Sequence, residues 1–333
     1  MLTPAASLTL GNLRYDTHAV ALRLRREKLP ATDRLDVVLP AGVRFEAVPG
    51  DPVLLDLDGG EGSARVFTGT LFEVRRALDS IAITARGPAH ALGQARPVLA
   101  LEGATAGDAI RALCDEAGIA TGTIEDGPQL ALYALDGRAT ALAEIARLAA
   151  LSGMGGAFDG DGALHVTPFG GPETEIAIRH GREILSAEMR AALDDAKQPY
   201  VMGEGADAAG KPRARLLAAD FAAGGAPADA RRFALPELRT TDDARAAAGA
   251  IAHARARAAR GVRLTTFLLP EAAPGLRIET QDMPEAVPLA ELRVEQVTHR
   301  LRADGAAATD IIGSGITGPS LADLAGAIAG ALL

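Results

Sequence analysis

Leu71-Phe72-Glu73-Val74-Arg75-Arg76-Ala77-Leu78-Asp79, continuing through Ile81-Ala82-Ile83-Thr84 to Gly87, is the stretch that decides the fold. It reads as a strand, a polar turn and a second alternating strand ending at a glycine. The same order returns as Val294-Glu295-Gln296-Val297-Thr298-His299-Arg300-Leu301, then Thr309-Asp310-Ile311-Ile312 and Gly313. Two hairpins of one design, one early and one late in the chain, predict two related β-barrels.

Upstream of the first hairpin, Val20, Leu22 and Leu24 alternate with Ala21, Arg23 and Arg25, and the period of two recurs at Val53, Leu55 and Leu57. Turn signals at Pro40-Ala41-Gly42, Pro49-Gly50-Asp51-Pro52 and Asp58-Gly59-Gly60-Glu61-Gly62 separate these runs. Short strands about ten residues apart, with no helix between them, predict a first tube-like β-barrel over residues 1–97. The pattern then changes. Thr105 with Asp108 three residues on is a capping-box start, followed by Ile110, Leu113 and Cys114 at helical spacing and a stop at Gly118. A second helix starts near Thr140 with Leu142, Ile145, Leu148 and Ala149 on one face, so residues 98–170 read as an inserted α+β domain. Alternation resumes at 175–179, 185–190, 200–204, 262–267, 276–280 and 293–301, predicting a second barrel over 171–313. A loop-and-helix excursion interrupts it at about 205–261. The stretch 205–236 reads as loop, and an Ala/Arg helix runs from Thr240 or Thr241 to Arg260.

The 333 residues are 48% hydrophobic and 23% charged, a composition that folds rather than staying disordered. A formal charge of −9 disfavours general nucleic-acid binding, which needs a positive face, and no sequence-specific nucleic-acid contact is expected. Aromatics at 3% with no Trp also argue against base stacking. Cys114 is the only cysteine, so no intrachain disulfide can form. The opening MLTPAASLTLGNLRYD has no basic stretch ahead of an apolar core and does not read as a signal peptide. No apolar run is long enough to cross a bilayer, and membrane insertion is not expected.

Chemistry-bearing motifs are weak. Gly205-Ala206-Asp207-Ala208-Ala209-Gly210-Lys211 matches a phosphate loop, but Pro212 stands where Ser or Thr would hold magnesium. The six histidines form no metal-ligand spacing. Asp56, Asp58 and Glu61, and likewise Asp159 and Asp161, lack the twelfth-position carboxylate of a calcium loop and read as turns. No catalytic, cofactor-binding or metal residues are assigned, and no enzyme is expected. At the C-terminus, 314–333, Ser320 and Asp323 form another capping pair. Leu321, Leu324, Ile328 and Leu332 fall on one helical stripe, which packs either on its own chain or on a partner.

The ordered series of these features resembles the phage late control protein D family, the baseplate hubs of contractile phage tails and related injection systems. It comprises Gly50-Asp51-Pro52-Val53, Val66-Phe67-Thr68-Gly69, Ala89-His90-Ala91-Leu92 to Arg96-Pro97 and Thr105-Ala106-Gly107-Asp108. It continues through Ile145-Ala146-Arg147-Leu148-Ala149, Asp161-Gly162-Ala163-Leu164, Gly181-Arg182-Glu183-Ile184-Leu185 and Met283-Pro284 to His299. The resemblance spans roughly residues 15–312. It implies a mainly β fold with an α+β insertion, and two tube-like barrels per chain. Three chains would form a homotrimer whose six barrels match a sixfold tail tube on one face and a threefold spike on the other. The implied partners are a tail tube or tube-initiator protein, a separate spike protein and other baseplate proteins. The implied place is the tail baseplate of a virion or related particle, assembled in the bacterial cytoplasm. The alternatives are a soluble β-barrel binding module and a phage-associated cell-wall hydrolase.

Overall fold

The structure, a computed structural model, describes residues 4–16, 19–168, 170–172, 174–192, 198–205, 214–217 and 229–317. The first region contains strands β1 (Ala5–Leu10), β2 (Leu13–Tyr15), β3 (Ala21–Glu27), β4 (Arg34–Pro40), β5 (Pro52–Asp58), β6 (Ser63–Arg76) and β7 (Ser80–Arg86). Alternation has its usual consequence here. Leu22 and Leu24, then Leu35, Val37 and Leu39, then Val53, Leu55 and Leu57 all point into one buried core, while the intervening charged residues face outward.

The middle region holds α1 (Ala89–Gln94), β8 (Val98–Thr105), α2 (Ala106–Glu116), β9 (Thr121–Ile124) and β10 (Gln129–Asp136). It continues with α3 (Ala141–Leu151), β11 (Gly155–Phe158) and β12 (Leu164–Thr167). The capping box predicted at Thr105 is formed: its hydroxyl accepts from the Asp108 N–H at 3.1 Å, and the Asp108 carboxylate accepts from the Thr105 N–H at 3.0 Å. Thr140 caps α3 as its sequence position predicts.

The last region runs β13 (Glu175–Arg179), β14 (Ile184–Ala191), β15 (Pro199–Gly205), β16 (Ala214–Leu217), β17 (Arg231–Ala234) and α4 (Thr241–Ala258). It ends with β18 (Arg260–Thr266), β19 (Arg277–Gln281), β20 (Glu291–Arg302) and β21 (Ala307–Thr317). Thr240 caps α4, but the stretch read as loop contains β16 and β17, which flank β15 in a small sheet. This sheet and α4 do not build a core with the flanking strands. Val201, Leu238, Ala244 and Ala247 join the middle core beside Ile145, Leu148 and Phe158.

The two β regions repeat one another strand by strand. The first is ordered β3-β4-β7-β6-β5-β1, with β2 added beyond β1, and the second β14-β18-β21-β20-β19-β13. Register matches as well as order. Val74 pairs with Ile83 as Val297 pairs with Ile311, and Leu35 pairs with Ala85 as Val262 pairs with Gly313. Each long strand carries an unpaired bulge residue at the corresponding place, Phe72 in β6 and Glu295 in β20. Gly313 therefore corresponds to Ala85, and the counterpart of Gly87 is Gly315.

The predicted barrels need one correction. The units are not separate rings: β20 pairs with β3, fusing both into one 13-stranded sheet, and neither unit closes on itself by strand pairing among the described residues. Periodicity in sequence reports which face of a strand is buried, not which strand lies beside it.

Candidate functional site

The seam between the two units is built from β3 and β20. Leu22, Leu24 and Arg26 on β3 stand opposite Leu301, His299 and Val297 on β20, forming its inner face. On the outer face the Arg25 guanidinium donates to the Gln296 amide oxygen at 3.3 Å and pairs with Glu27 at 2.6 Å. Arg300, opposite Arg23, is neutralised by Asp310 at 2.7 Å.

Beneath the seam the second unit, the first unit and the middle region meet at one buried charged group. The Arg26 guanidinium donates to the Phe158 carbonyl of β11 at 2.7 Å and lies 3.8 Å from the Asp33 carboxylate. Asp33 accepts from the Glu27 N–H at 3.0 Å, and a side chain at Gly87 would meet Asp33 at 2.9 Å. Burial pushes the Asp33 carboxyl up to about 6, against the opposing pull of Arg26. His299, wholly buried, has its Nδ1 3.0 Å from the Thr309 hydroxyl. Burial, reinforced by Arg26, pushes it down to about 3, so it is neutral at pH 7. The link that follows β3 binds all three parts. Lys28 pairs with Glu295 at 3.0 Å, and the Leu29 N–H donates to the Gly156 carbonyl at 2.7 Å. A second, half-buried knot ties the excursion to the middle region: Arg147 bridges Glu144 and Glu237, and Glu144 also accepts from the Tyr133 hydroxyl at 3.0 Å. Arg26 and Arg147 thus each join groups from different regions of the fold.

The remaining sequence candidates are spent on local structure. Asp58 accepts from the N–H groups of Gly60 and Gly62, and Asp159 from those of Asp161 and Ala163, so both acidic turns use their carboxylates to close themselves. His165 is held by Asp159 at 3.0 Å, and His90 packs edge-on against Phe72. Cys114 is buried and its thiol is pushed up to about 12 by burial. Among the described residues no three His, Cys, Asp or Glu side chains gather as metal ligands, and no helix is long and apolar enough to cross a membrane. A cleft of about 800 Å³ opens between the units near Gly59, Ile176, Arg182, Phe267 and Leu269. Its charged neighbours Arg182 and Glu183 pair with one another at 2.9 Å. The stripe Leu321, Leu324, Ile328 and Leu332 lies outside the described residues, as do Ala206–Pro212 of the phosphate-loop match.

Two sheet edges stand out instead, and periodicity alone did not single them out. Among the described residues β14 pairs only with β18, so its other side has no strand partner there. β6 pairs with β5 only as far as Thr70, so on that side Glu73–Arg76 has no strand partner among the described residues. Around these edges sit three exposed large apolar side chains: Phe72, Leu185 and Leu78, the last of them fully in solvent. An unpaired sheet edge presents free N–H and C=O groups that can pair with another chain.

No protein-family model matches the chain, and no curated protein sequence matches it. Solved structures do. A tail protein from Neisseria meningitidis MC58 superposes with a TM-score of 0.69 at 16% identity, over 94% of this chain and 97% of that one. The 43 kDa tail protein of prophage MuSo2 from Shewanella oneidensis gives 0.68 at 16% identity, over 94% and 98%. An E. coli component of the type VI secretion system, structurally similar to the T4 bacteriophage tail proteins gp27 and gp5, gives 0.61 at 11% identity, over 94% and 79%. The chain has the mainly β fold of phage tail proteins along nearly its whole length.

Proposed function

We propose that this protein is a structural hub of a contractile phage tail or related injection machine, and that it works by binding rather than catalysis. The observation that carries the reading is the internal repeat: a six-strand order with matching register that occurs twice in one chain, within a tail-protein fold. Such a chain offers two near-equivalent units per copy, so three copies present six. A homotrimer of this kind adapts a sixfold tail tube to a threefold spike without a second gene product. In this reading each unit acts as a tube-like barrel element and the middle α+β region decorates it. The partners are a tube or tube-initiator protein, a separate spike and other baseplate proteins, in a particle assembled in the bacterial cytoplasm. The stripe Leu321, Leu324, Ile328 and Leu332 is assigned to partner contact in the same assembly.

Native mass spectrometry of the purified chain tests the proposal. A species three times the chain mass is the expected result, with binding to tube and spike proteins as its sequel. A stable dimer would overturn the symmetry on which the hub reading stands.

A further inference from the structure

A half-buried group of cations lies where the link after β3, the turn after β12 and the end of α4 meet the outer face of β20 and β21. Lys28 pairs with Glu295 at 3.0 Å, and its side chain is only 14% exposed. The Arg293 guanidinium donates to the Pro168 carbonyl at 2.8 Å. Arg257, in the last turn of α4, lies near enough to act on both Lys28 and Arg293. Close packing fixes these parts. A side chain at Gly170 would meet the Lys28 Nζ at 3.1 Å, and Ala250, two turns before Arg257 on the same face of α4, abuts Gly153.

The strands beneath supply one more polar group and leave room. Arg293 stands opposite Ser314 on β21, and Ser314 opposite Gly261 on β18, so the three share a row on one face of the sheet. Ser314 is 4% exposed, and its buried hydroxyl has no hydrogen-bond partner among the described residues. Gly261 adds no side chain to the row.

The charges do not balance. Among the described residues the one carboxylate acting on these cations is Glu295, which Lys28 already engages. Burial lowers the Lys28 ammonium from its ordinary value, and Arg293 and Arg257 lower it further against the pull of Glu295. Arg293 is lowered by burial and then by Arg257. The carbonyl end of α4 offsets only part of this, being equivalent to roughly half a charge.

We propose that this cluster is an oxyanion site, taking a phosphate-type ion between Lys28, Arg257 and Arg293 with the Ser314 hydroxyl as a further donor. Guanidinium groups present paired N–H donors that match the oxygens of such an ion. Bound there, the ion ties α4, and with it the excursion, to β20 and to the link after β3. The inference uses none of the assembly argument and stands apart from the hub reading.

Calorimetric titration of the full chain with sodium phosphate, at constant ionic strength held with sodium chloride, is the test. Saturable binding of one ion per chain is expected, with a matching rise in melting temperature. Arg257→Gln is expected to weaken binding about tenfold or more, as loss of a charge-assisted hydrogen bond does. The same variant reverses sign between buffers. In chloride alone it melts no lower than the parent, because a repelling charge is gone; in saturating phosphate it melts below it. Ser314→Ala is expected to weaken binding without lowering the melting temperature in chloride, since the hydroxyl it removes is unsatisfied. Adenosine monophosphate separates a free ion from a phosphate ester: weaker binding than phosphate assigns the free ion, and equal or tighter binding keeps the site and assigns the ester. Acetate binding as well as phosphate would make this a carboxylate site and overturn the assignment. Absence of phosphate binding overturns the site, and means that the chain balances these charges itself. An equal rise in melting temperature for the parent and Arg257→Gln also overturns it, because phosphate then acts only by exclusion from the surface.

Discussion

The two β units share strand order, register and even the position of a bulge, yet they are wired differently. In the first, β3 passes to β4 through six residues, Lys28–Asp33. In the second, the equivalent step from β14 to β18 is opened by residues 192–259, whose β15, β17 and α4 pack into the middle core. The outer strands differ too: β1 runs antiparallel to β5, whereas β13 runs parallel to β19. What is held constant is the ladder of paired strands; what varies is the chain that connects them. The contrast that matters most is at the edges, because β3 is covered by β20 while its counterpart β14 has no strand on that side among the described residues.

The sharpest way to break that contrast is to truncate equivalent positions on the two strands. Leu24 on β3 is wholly buried, and its counterpart Met189 on β14 is only partly so. Leu24→Ala is expected to cost about 2–5 kcal/mol by chemical denaturation, the range for a fully buried leucine. Met189→Ala, measured under dilute conditions, is expected to cost less than about 1.5 kcal/mol, because its side chain is already partly hydrated. Equal losses would mean that β14 is as well covered in the isolated chain as β3.

A second difference is electrostatic. His299 at the seam is buried and neutral, whereas its counterpart Arg76 is exposed. With a folded value of about 3 against 6.5 when unfolded, His299 binds a proton more readily in the unfolded chain. Its contribution is therefore complete above pH 6.5 and is lost as the pH falls towards 3, with a limiting slope of about 1.4 kcal/mol per pH unit. Asp33 acts in the opposite sense. Its carboxyl titrates at about 6 folded against 3.8 unfolded, so it favours the folded state as pH falls through that window. Replacing His299 with Gln removes the first effect and leaves the second. The variant's melting temperature is expected to fall less than the parent's between pH 7 and pH 4.5, and parallel curves would rule His299 out as the titrating group.

How much of this was legible beforehand follows from what each signal encodes. The hairpins at 71–87 and 294–313 were readable because alternation and turn residues are local, and so were the helix starts at Thr105, Thr140 and Thr240. The short β17, Arg231–Ala234, has no alternation long enough to see, and α1 begins after Pro88 with no side-chain cap. The seam was out of reach for a different reason: pairing between strands more than 250 residues apart leaves no mark on either strand's own period. Arg26 illustrates the point. On β3 it occupies the apolar face of an otherwise alternating strand, and only the fold supplies Phe158 and Asp33 to receive it. The offset between the hairpins did carry the key to the free edges, once strand pairing was known.

The smallest effect expected separates two helix starts that look alike in sequence. Thr105 accepts from the N–H of Asp108 while Asp108 returns a bond to the Thr105 N–H, so two otherwise orphaned donors are satisfied together. Thr140 accepts only from Ala143, with no reciprocal carboxylate. Thr105→Ala is expected to cost about 1 kcal/mol, the usual value of an N-cap, and to raise the pKa of Asp108, whose carboxyl is held low chiefly by its bonds to Thr105. Thr140→Ala removes one bond of the same kind and no carboxylate shift. Denaturation midpoints of the two variants, with an NMR titration of the Asp108 carboxyl, decide whether the reciprocal bond adds stability beyond a single cap. An unmoved Asp108 in Thr105→Ala would show that the N–H of residue 105, which alanine keeps, and not the hydroxyl holds the carboxyl low.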